Sequence, residues 1–580
     1  SWPPQPYRSR TGKTRLFLDG YLFFGNSETL SELQRNAENF FGEILSAYEQ
    51  EGVAFVRKIR GGMFHLILLD EEAKQLVVVN DRLGLLPLYY VEAEGAFGFA
   101  PLAGPLAECA RCTHQVDTAA LSELLLYGWM VGERSAFKPV KLLAPGTVLT
   151  YSFATGVLRK ETYDQIHHRR DEGEGSEKEW FGKIDELLTG SMRRYQGVPG
   201  NYALMLSGGL DSRLILEYFP RKERLRAYIF GSRDYDDARL AEAVARGARI
   251  PYRLFENGSP QFLSRSDSEF AATESYLVWH AGEAGERMCE DGCHICFDGI
   301  YGDGFLGGYY FQHFAIKNAI SGLPLTPYRN LRKLAVRLDR TSRLFTDDML
   351  QTLLRDKVFE QFRETEEERL LDIEAWLAPR EQTLRYEEEG QELFKLCDMR
   401  RRVSNLQGMR LRSFLEVAYP FCDYALMDFV FSLPLRARAN YKLYFSFLRS
   451  RRRWQTFHIP YDKTWIPADA AYPLQLGGIA WRNLCQSIEG KLCSLSAGKW
   501  FPRRRLYMDF DFWFRNDSAF RENVSQELRC SYFDPDKVRR FLEQWRKAKF
   551  HLGFRMAYLL SFARSCREAQ TVRVFEDSLA

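Results

Sequence analysis

"LMLSGGLDSRLIL", residues 204–216, sets a glycine-rich polar turn between two apolar runs. The first run is short and apolar enough for a buried strand, and the second continues at helical spacing. In such a strand–turn–helix unit, glycines let backbone N–H groups approach an anion, and the following helix aims its positive dipole end at the same point. Leu206, Ser207, Gly208, Gly209, Leu210, Asp211 and Ser212 are therefore expected to hold phosphate. The turn lacks the Gly-Lys-Ser/Thr of a Walker A loop and the spacing of a dinucleotide fingerprint. A carboxylate inside a phosphate loop repels its ligand unless a cation intervenes, so Asp211 implies Mg²⁺ bridging protein and pyrophosphate oxygens. The plainer reading is a tight turn in which Asp and Ser cap a helix.

Downstream, "RLRAYIF" (224–230), "DDARLAEAVARGA" (236–248) and "PYRLFE" (251–256) continue an alternation of strand and helix, the pattern of a parallel sheet covered by helices. Upstream the rhythm differs. Between Arg15 and Tyr151, the runs "RLFLDGYLFF", "GGMFHLILLD", "QLVVVNDRLGLLPLYYV", "GAFGFAP" and "APGTVLTYS" predict strands, with apolar-periodic helices near 28–50 and 117–128. A charged stretch, "HHRRDEGEGSEKE" at 167–179, reads as a linker, and from about 325 onward the chain is mostly amphipathic helix. The expected division is a first domain over 1–165, a linker over 166–180 and a second domain over 181–580.

At 580 residues the chain exceeds what one core usually serves. Its 80 Lys and Arg against 77 Asp and Glu leave a charge of +3, so no global field argues for nucleic acid or a membrane surface. The basic runs Arg400–Arg402, Arg451–Arg453 and Arg503–Arg505 read as solvated faces. Eleven scattered cysteines do not form a secreted disulfide framework, and no apolar run approaches the roughly 20 residues that span a bilayer. A cytoplasmic setting is expected, without nucleic-acid binding or a membrane span. The close spacings Cys109/Cys112 and Cys289/Cys293/Cys296 read as buried thiols, with zinc the alternative.

The turn resembles the pyrophosphate loop of ATP pyrophosphatases, and two further stretches narrow the likeness. "DGIYGDGFLGGYY" (298–310) resembles the asparagine synthetase pattern Ser-Gly-Glu-Gly-Ala-Asp-Glu-Leu-Phe-Gly-Gly-Tyr, with Asp303 at the metal-binding Asp and Gly307-Gly308-Tyr309 at the closing triplet. "EVAYPFCDYAL" (416–426) is similar to Glu-Ala-Arg-Val-Pro-Phe-Leu-Asp. In the first domain, "GGMFHLILLD", "NDRLGLLPLYY" and "APGTVL" resemble the glutamine amidotransferase domain that precedes the synthetase domain in this superfamily. The resemblance implies an N-terminal Ntn-hydrolase-like αββα domain. It also implies an adenine-nucleotide α-hydrolase-like parallel-sheet domain with a helical C-terminal extension. It further implies ATP and Mg²⁺ as cofactors, metal ligation by Asp211 and Asp303, and Phe230 and Gly302 beside the loop as nucleotide-binding residues.

The departures are informative. A glutaminase of this type uses an N-terminal Cys with its free α-amine as base. This chain begins Ser1-Trp-Pro-Pro, and "RLFLDGYLFF" aligns with the family's Asn-Gly-Glu-Ile-Tyr-Asn strand, so the first domain is expected to be glutaminase-inactive. A start with Met-Cys-Gly ahead of Ser1 would restore that activity. Ile300 and Gly304 stand where asparagine synthetase has Glu, and Ala418 where it has Arg, which points away from aspartate. A kept nucleotide loop behind an altered amidotransferase domain is similar to β-lactam synthetases and lasso-peptide cyclases. These adenylate a carboxylate that an amine of the same molecule then attacks. By that resemblance Glu416 and Tyr386 form the Tyr–Glu base pair and Lys463 the oxyanion cation, with Lys442 competing for the last role. The bland alternatives are an ion-paired Glu416 and a surface Lys463. The expected substrate is a small-molecule or peptide carboxylate, which leaves open a precursor-peptide-processing partner. The rival readings are amidation of another carboxylate, such as a uronic-acid sugar, with glutamine or ammonia, and a catalytically silent binding protein.

Overall fold

A computed structural model describes residues 6–25, 29–93, 96–168, 175–308, 325–451, 454–495, 508–547 and 551–579. The first domain is built on two antiparallel sheets. The larger runs in the order β1 (Tyr7–Arg8), β2 (Thr14–Phe24), β3 (Ile59–Asp70), β4 (Gln75–Asn80), β8 (Thr147–Ser152), β9 (Leu158–Thr162). The smaller runs β6 (Ala96–Ala100), β5 (Tyr89–Ala93), β7 (Lys141–Leu142). Val78, Tyr90 and Leu149 of the strands, with Leu88 and Leu143 just outside β5 and β7, fill the space between the sheets. On the outer face of the large sheet, the Ala37–Glu51 helix buries Phe40, Phe41, Ile44, Leu45 and Tyr48, the i, i+3/i+4 stripe of an amphipathic helix. The Ala103–Cys109 helix covers the small sheet through Leu106 and Ala107 against Val91. The layers are thus helix, sheet, sheet, helix, the αββα order that the resemblance implies.

The second domain carries a five-stranded, wholly parallel sheet in the order β12 (Tyr252–Phe255), β11 (Leu225–Phe230), β10 (Asn201–Met205), β13 (Cys293–Phe297), β14 (Glu416–Ala418). Its strands are short and apolar because both faces are covered. Helices Glu177–Arg194, Asp211–Tyr218, Asp236–Gly247 and Ala281–Glu290 pack around it, and helices occupy most of the described chain from Leu331 to Leu579. Among the described residues no helix is long and apolar enough to cross a membrane. The described cysteines are free thiols, and no group of three or more His, Cys, Asp or Glu there is arranged to hold a metal.

The two domains are joined by polar contacts. Arg401 donates from Nη1 to the Leu143 carbonyl (2.8 Å) and from Nη2 to that of Gly132 (2.6 Å), while Arg402 Nη2 donates to the carbonyls of Gly132 and Arg134. The Arg400–Arg402 run is therefore no solvated face: Arg400 and Arg401 are buried, and a buried guanidinium persists because its fork matches several oxygens at once. Arg503–Arg505 and two of the three residues of Arg451–Arg453 lie outside the described residues. The linker segment begins buried, through Ile166 and His168. Tyr21 Oη donates to the Val417 carbonyl (3.0 Å), linking β2 to β14.

Candidate functional site

The strand–turn–helix forms as expected, with β10 ending at Met205 and the helix starting at Asp211. Inside the turn, Gly209 N donates to Ser207 Oγ (3.1 Å), Ser207 N to Ser212 Oγ (3.1 Å), and Gly208 N to Asp237 Oδ1 (2.8 Å). A Cβ on Gly208 would lie 2.9 Å from that Asp237 oxygen, so the glycine is required by close approach of the next βα unit. Asp237 opens the helix after β11, at the same carboxyl edge of the sheet, where open α/β sheets bind their ligands. Burial and then the neighbouring Asp462 push its carboxyl up to about 7.

Two carboxylates meet at this edge. Asp211 Oδ2 accepts from the backbone N–H of Asp303 (2.8 Å), and Oδ1 accepts from Tyr444 Oη (2.8 Å). A Cβ on Gly302 would sit 2.7 Å from Asp211 Cγ, which explains glycine there. Asp303 Oδ1 accepts from Arg400 Nη2 at 2.8 Å. Burial and the adjacent Asp303 push Asp211 well above the carboxylate range. Burial alone would raise Asp303 too, but Arg400 and Lys463 more than offset it and hold Asp303 below its ordinary value. The paired oxygens are hard donors suited to a divalent cation such as Mg²⁺, and their mutual repulsion is what a cation relieves.

Lys463 lies in the same electrostatic cluster. Its Nζ donates to Tyr441 Oη (3.3 Å); partial desolvation opposes its charge, yet Tyr461, Tyr441 and Asp303 keep its pKa well above the usual lysine value, although the residue as a whole is exposed. Lys442, the competing cation, is exposed at the start of the Lys442–Ser450 helix. Arg213, wholly buried one residue after Ser212, ties the strap leading to Lys463 onto the turn. Its Nη2 donates to the carbonyls of Gly208 (2.6 Å) and Pro460 (2.7 Å), and its Nη1 to that of Ile459 (2.8 Å).

The cleft over this edge has a volume of about 500 Å³ and is lined by Leu206, Ser207, Asp211, Ser212, Phe230, Asp237, Ile300, Asp303 and Arg400, among others. Phe230 stacks on Phe255 (centroids 5.0 Å apart) and touches His280, whose imidazole burial lowers to about 4, leaving it neutral at pH 7. Gln407 bridges His280 and the half-buried Asp298.

Two expected residues are elsewhere. Glu416 opens β14 opposite Ile295, two residues before Ala418, whose carbonyl receives Asp298 N at the site edge. Its carboxylate lies 3.6 Å from Arg412, which also donates to Asp19 of the first domain (2.9 Å). Glu416 thus belongs to the domain junction, because the edge position of β14 turns it toward β2. Tyr386 pairs with Pro327 and heads the Glu387–Phe394 helix, where its N–H donates to Glu389. Its described contacts are there rather than with Asp211, Asp303 or Lys463. Ser1 and Tyr309 lie outside the described residues. Sequence reasoning missed Asp237, Arg213, Arg400 and Tyr444. Of these only Asp237 had a positional signal, as the acid following the neighbouring parallel strand.

Residues 3–163 match the glutamine amidotransferase domain family, and residues 183–567 match asparagine synthase. The chain belongs to the asparagine synthase family. It is 23% identical over 347 residues to asparagine synthetase [glutamine-hydrolyzing] 2 of Bacillus subtilis (strain 168), covering 53% of this chain and 44% of that protein. It is also 23% identical over 404 residues to asparagine synthetase [glutamine-hydrolyzing] 3 of the same organism, covering 64% of this chain and 61% of that protein. The chain thus spans about half the length of these curated relatives. Among solved structures, glutamine phosphoribosylpyrophosphate amidotransferase from B. subtilis overlaps with 13% identity and a TM-score of 0.19, covering 51% of this chain and 63% of that one.

Proposed function

We propose that the chain is an ATP-dependent ligase that adenylates a carboxylic acid and joins the acyl group to an amine. The observation that carries this reading is the meeting of Asp211 and Asp303 at the Ser207–Ser212 turn, with Lys463 in the same electrostatic cluster. In the first step a carboxylate oxygen attacks the α-phosphorus, the bond to the β-phosphate bridging oxygen breaks, and pyrophosphate leaves. In the second the amine nitrogen attacks the acyl carbon, AMP leaves and the nitrogen loses a proton. Asp211 and Asp303 would hold Mg²⁺, which supplies positive charge against pyrophosphate when bound. Arg400 fixes Asp303, the Arg213 clamp fixes the strap before Lys463, and Lys463 stabilises charge developing on the acyl oxygen and α-phosphate.

The first domain supports an ammonia-free variant, in which the amine belongs to the same molecule as the acid, as in β-lactam or macrolactam formation. Asp19 stands in the strand that resembles the Asn-Gly-Glu-Ile-Tyr-Asn stretch, and it is engaged by His65 (3.3 Å) and Arg412. Desolvation would raise its carboxyl, but the His65 hydrogen bond and the Arg412 charge draw it far below the usual range, so it is an anion committed to the domain junction. Glutamine is expected to yield neither glutamate nor ammonia with this chain, measured by glutamate release. Stoichiometric glutamate would instead favour the second reading, amidation of a non-aspartate carboxylate with glutamine or ammonia, which the match of residues 3–163 to the amidotransferase domain supports.

A further inference from the structure

A second cavity, of about 330 Å³, lies between the two domains next to the ATP cleft. The Arg400–Leu411 stretch of helix is the partition. Arg400, Val403, Ser404 and Gln407, at offsets of three and four, face the cleft, whereas Arg402, Leu406 and Met409 face the chamber. Leu277 and Tyr558 line both spaces, so the two adjoin at this pair.

The chamber's lining suits an apolar occupant. Trp129, Phe137, Phe270, Leu406 and Met409 form much of its wall. Arg401 and Arg402 also line it, but they donate to main-chain oxygens of the first domain, and Glu108 and Glu274 in the wall repel a second carboxylate. The chamber takes no lining from β2 or β3; Tyr21, Gly61 and Gly62 of those strands surround a separate hollow of about 10 Å³.

We propose that the interdomain chamber holds the apolar body of the acid, whose carboxylate reaches the ATP cleft between Leu277 and Tyr558. The inference rests on the adenylation reading and narrows it. The substrate class is an amphiphilic monocarboxylic acid with a bulky apolar part, in place of a small dianion such as aspartate.

Calorimetric titration of the full chain with N-acylglycines tests this without catalysis. Affinity is expected to rise about 10²-fold or more from N-acetylglycine to N-octanoylglycine as methylenes leave water. N-acetyl-Leu-Phe-Gly, run in parallel, separates a peptide body from an acyl one. Met409→Trp and Leu406→Trp, which fill the chamber, are each expected to weaken the preferred probe about tenfold or more while ATP affinity is kept. Affinity that ignores chain length, or probe binding insensitive to both tryptophans, overturns the proposal, as does equal binding of aspartate. Probe binding that both tryptophans weaken, without probe-dependent pyrophosphate exchange, keeps the chamber and overturns the adenylation reading.

Discussion

Lys463 and Arg400 come from distant parts of the chain to act on one carboxylate, Asp303. Their roles differ. Arg400 is bonded to Asp303 directly and fixes it, whereas Lys463 is bonded to Tyr441 and presents its charge to the cluster. Cationic stabilisation of a developing oxyanion is worth about 10²-fold or more in rate, so Lys463→Met is expected to slow product formation by that factor. Its effect on ATP affinity should be much smaller. Single-turnover product formation beside equilibrium ATP binding checks this, and normal product formation by the variant would remove Lys463 from the chemistry. Both lysines are exposed, but Lys463 stands beside Tyr441, Tyr461 and Asp303, and this separates two residues that the sequence alone left as competitors.

At the scale of elements, the turn is held by partners that follow it in sequence. Arg213 joins the main chain of Gly208 to that of Ile459 and Pro460, so the turn and the strap carrying Lys463 move together. Arg213→Lys keeps a charge but loses the planar fork that serves several carbonyls at once. The expected outcome is a kcat lowered about tenfold or more with a smaller change in KM for ATP, because misplacing a reacting group is costly even when binding persists. An unchanged kcat would reduce the clamp to a stabilising contact.

Strands β2, β3, β4, β8, β10 and β11 were legible because apolar runs bounded by turn residues leave few alternatives. β1 and β7 have two residues each, and β9, "LRKET", is largely exposed, so these edge strands carry no apolar signal. The nucleotide-loop elements were legible for the same reason, since their spacing is local. Arg400 was not, because three consecutive arginines look alike in sequence and only tertiary packing buries two of them. Glu416 was misplaced because a motif position does not state which way an edge strand turns its side chain.

For the whole molecule, the junction includes a wholly buried ion pair. Arg438 holds Glu392 with a 2.6 Å contact, and His168, from the segment between the domains, lies 3.0 Å from the same carboxylate. Burial alone would raise Glu392, but Arg438 and His168 more than offset it and its pKa is lowered from the ordinary 4.5. A lowered folded-state pKa stabilises the fold above the unfolded-state value, and that stability is lost as pH falls through the folded value. Glu392→Gln leaves Arg438 buried without its partner and is expected to cost about 3–5 kcal/mol at pH 7. The gap from the parent chain should narrow below about pH 4.5, as the parent's own carboxyl protonates. Urea unfolding at pH 7 and at lower pH measures both, and a gap independent of pH would contradict the assignment.

In the proposed reaction ATP is split at its α-phosphate on the Asp211/Asp303 edge of the parallel sheet. The most direct measurement is the nucleotide product released when the chain turns over ATP with an acid that it accepts. AMP and pyrophosphate are expected in equal amounts, dependent on the acid and on Mg²⁺, and abolished in folded Asp211→Asn and Asp303→Asn variants. Release of ADP and phosphate, or AMP formation that survives both substitutions, would contradict it.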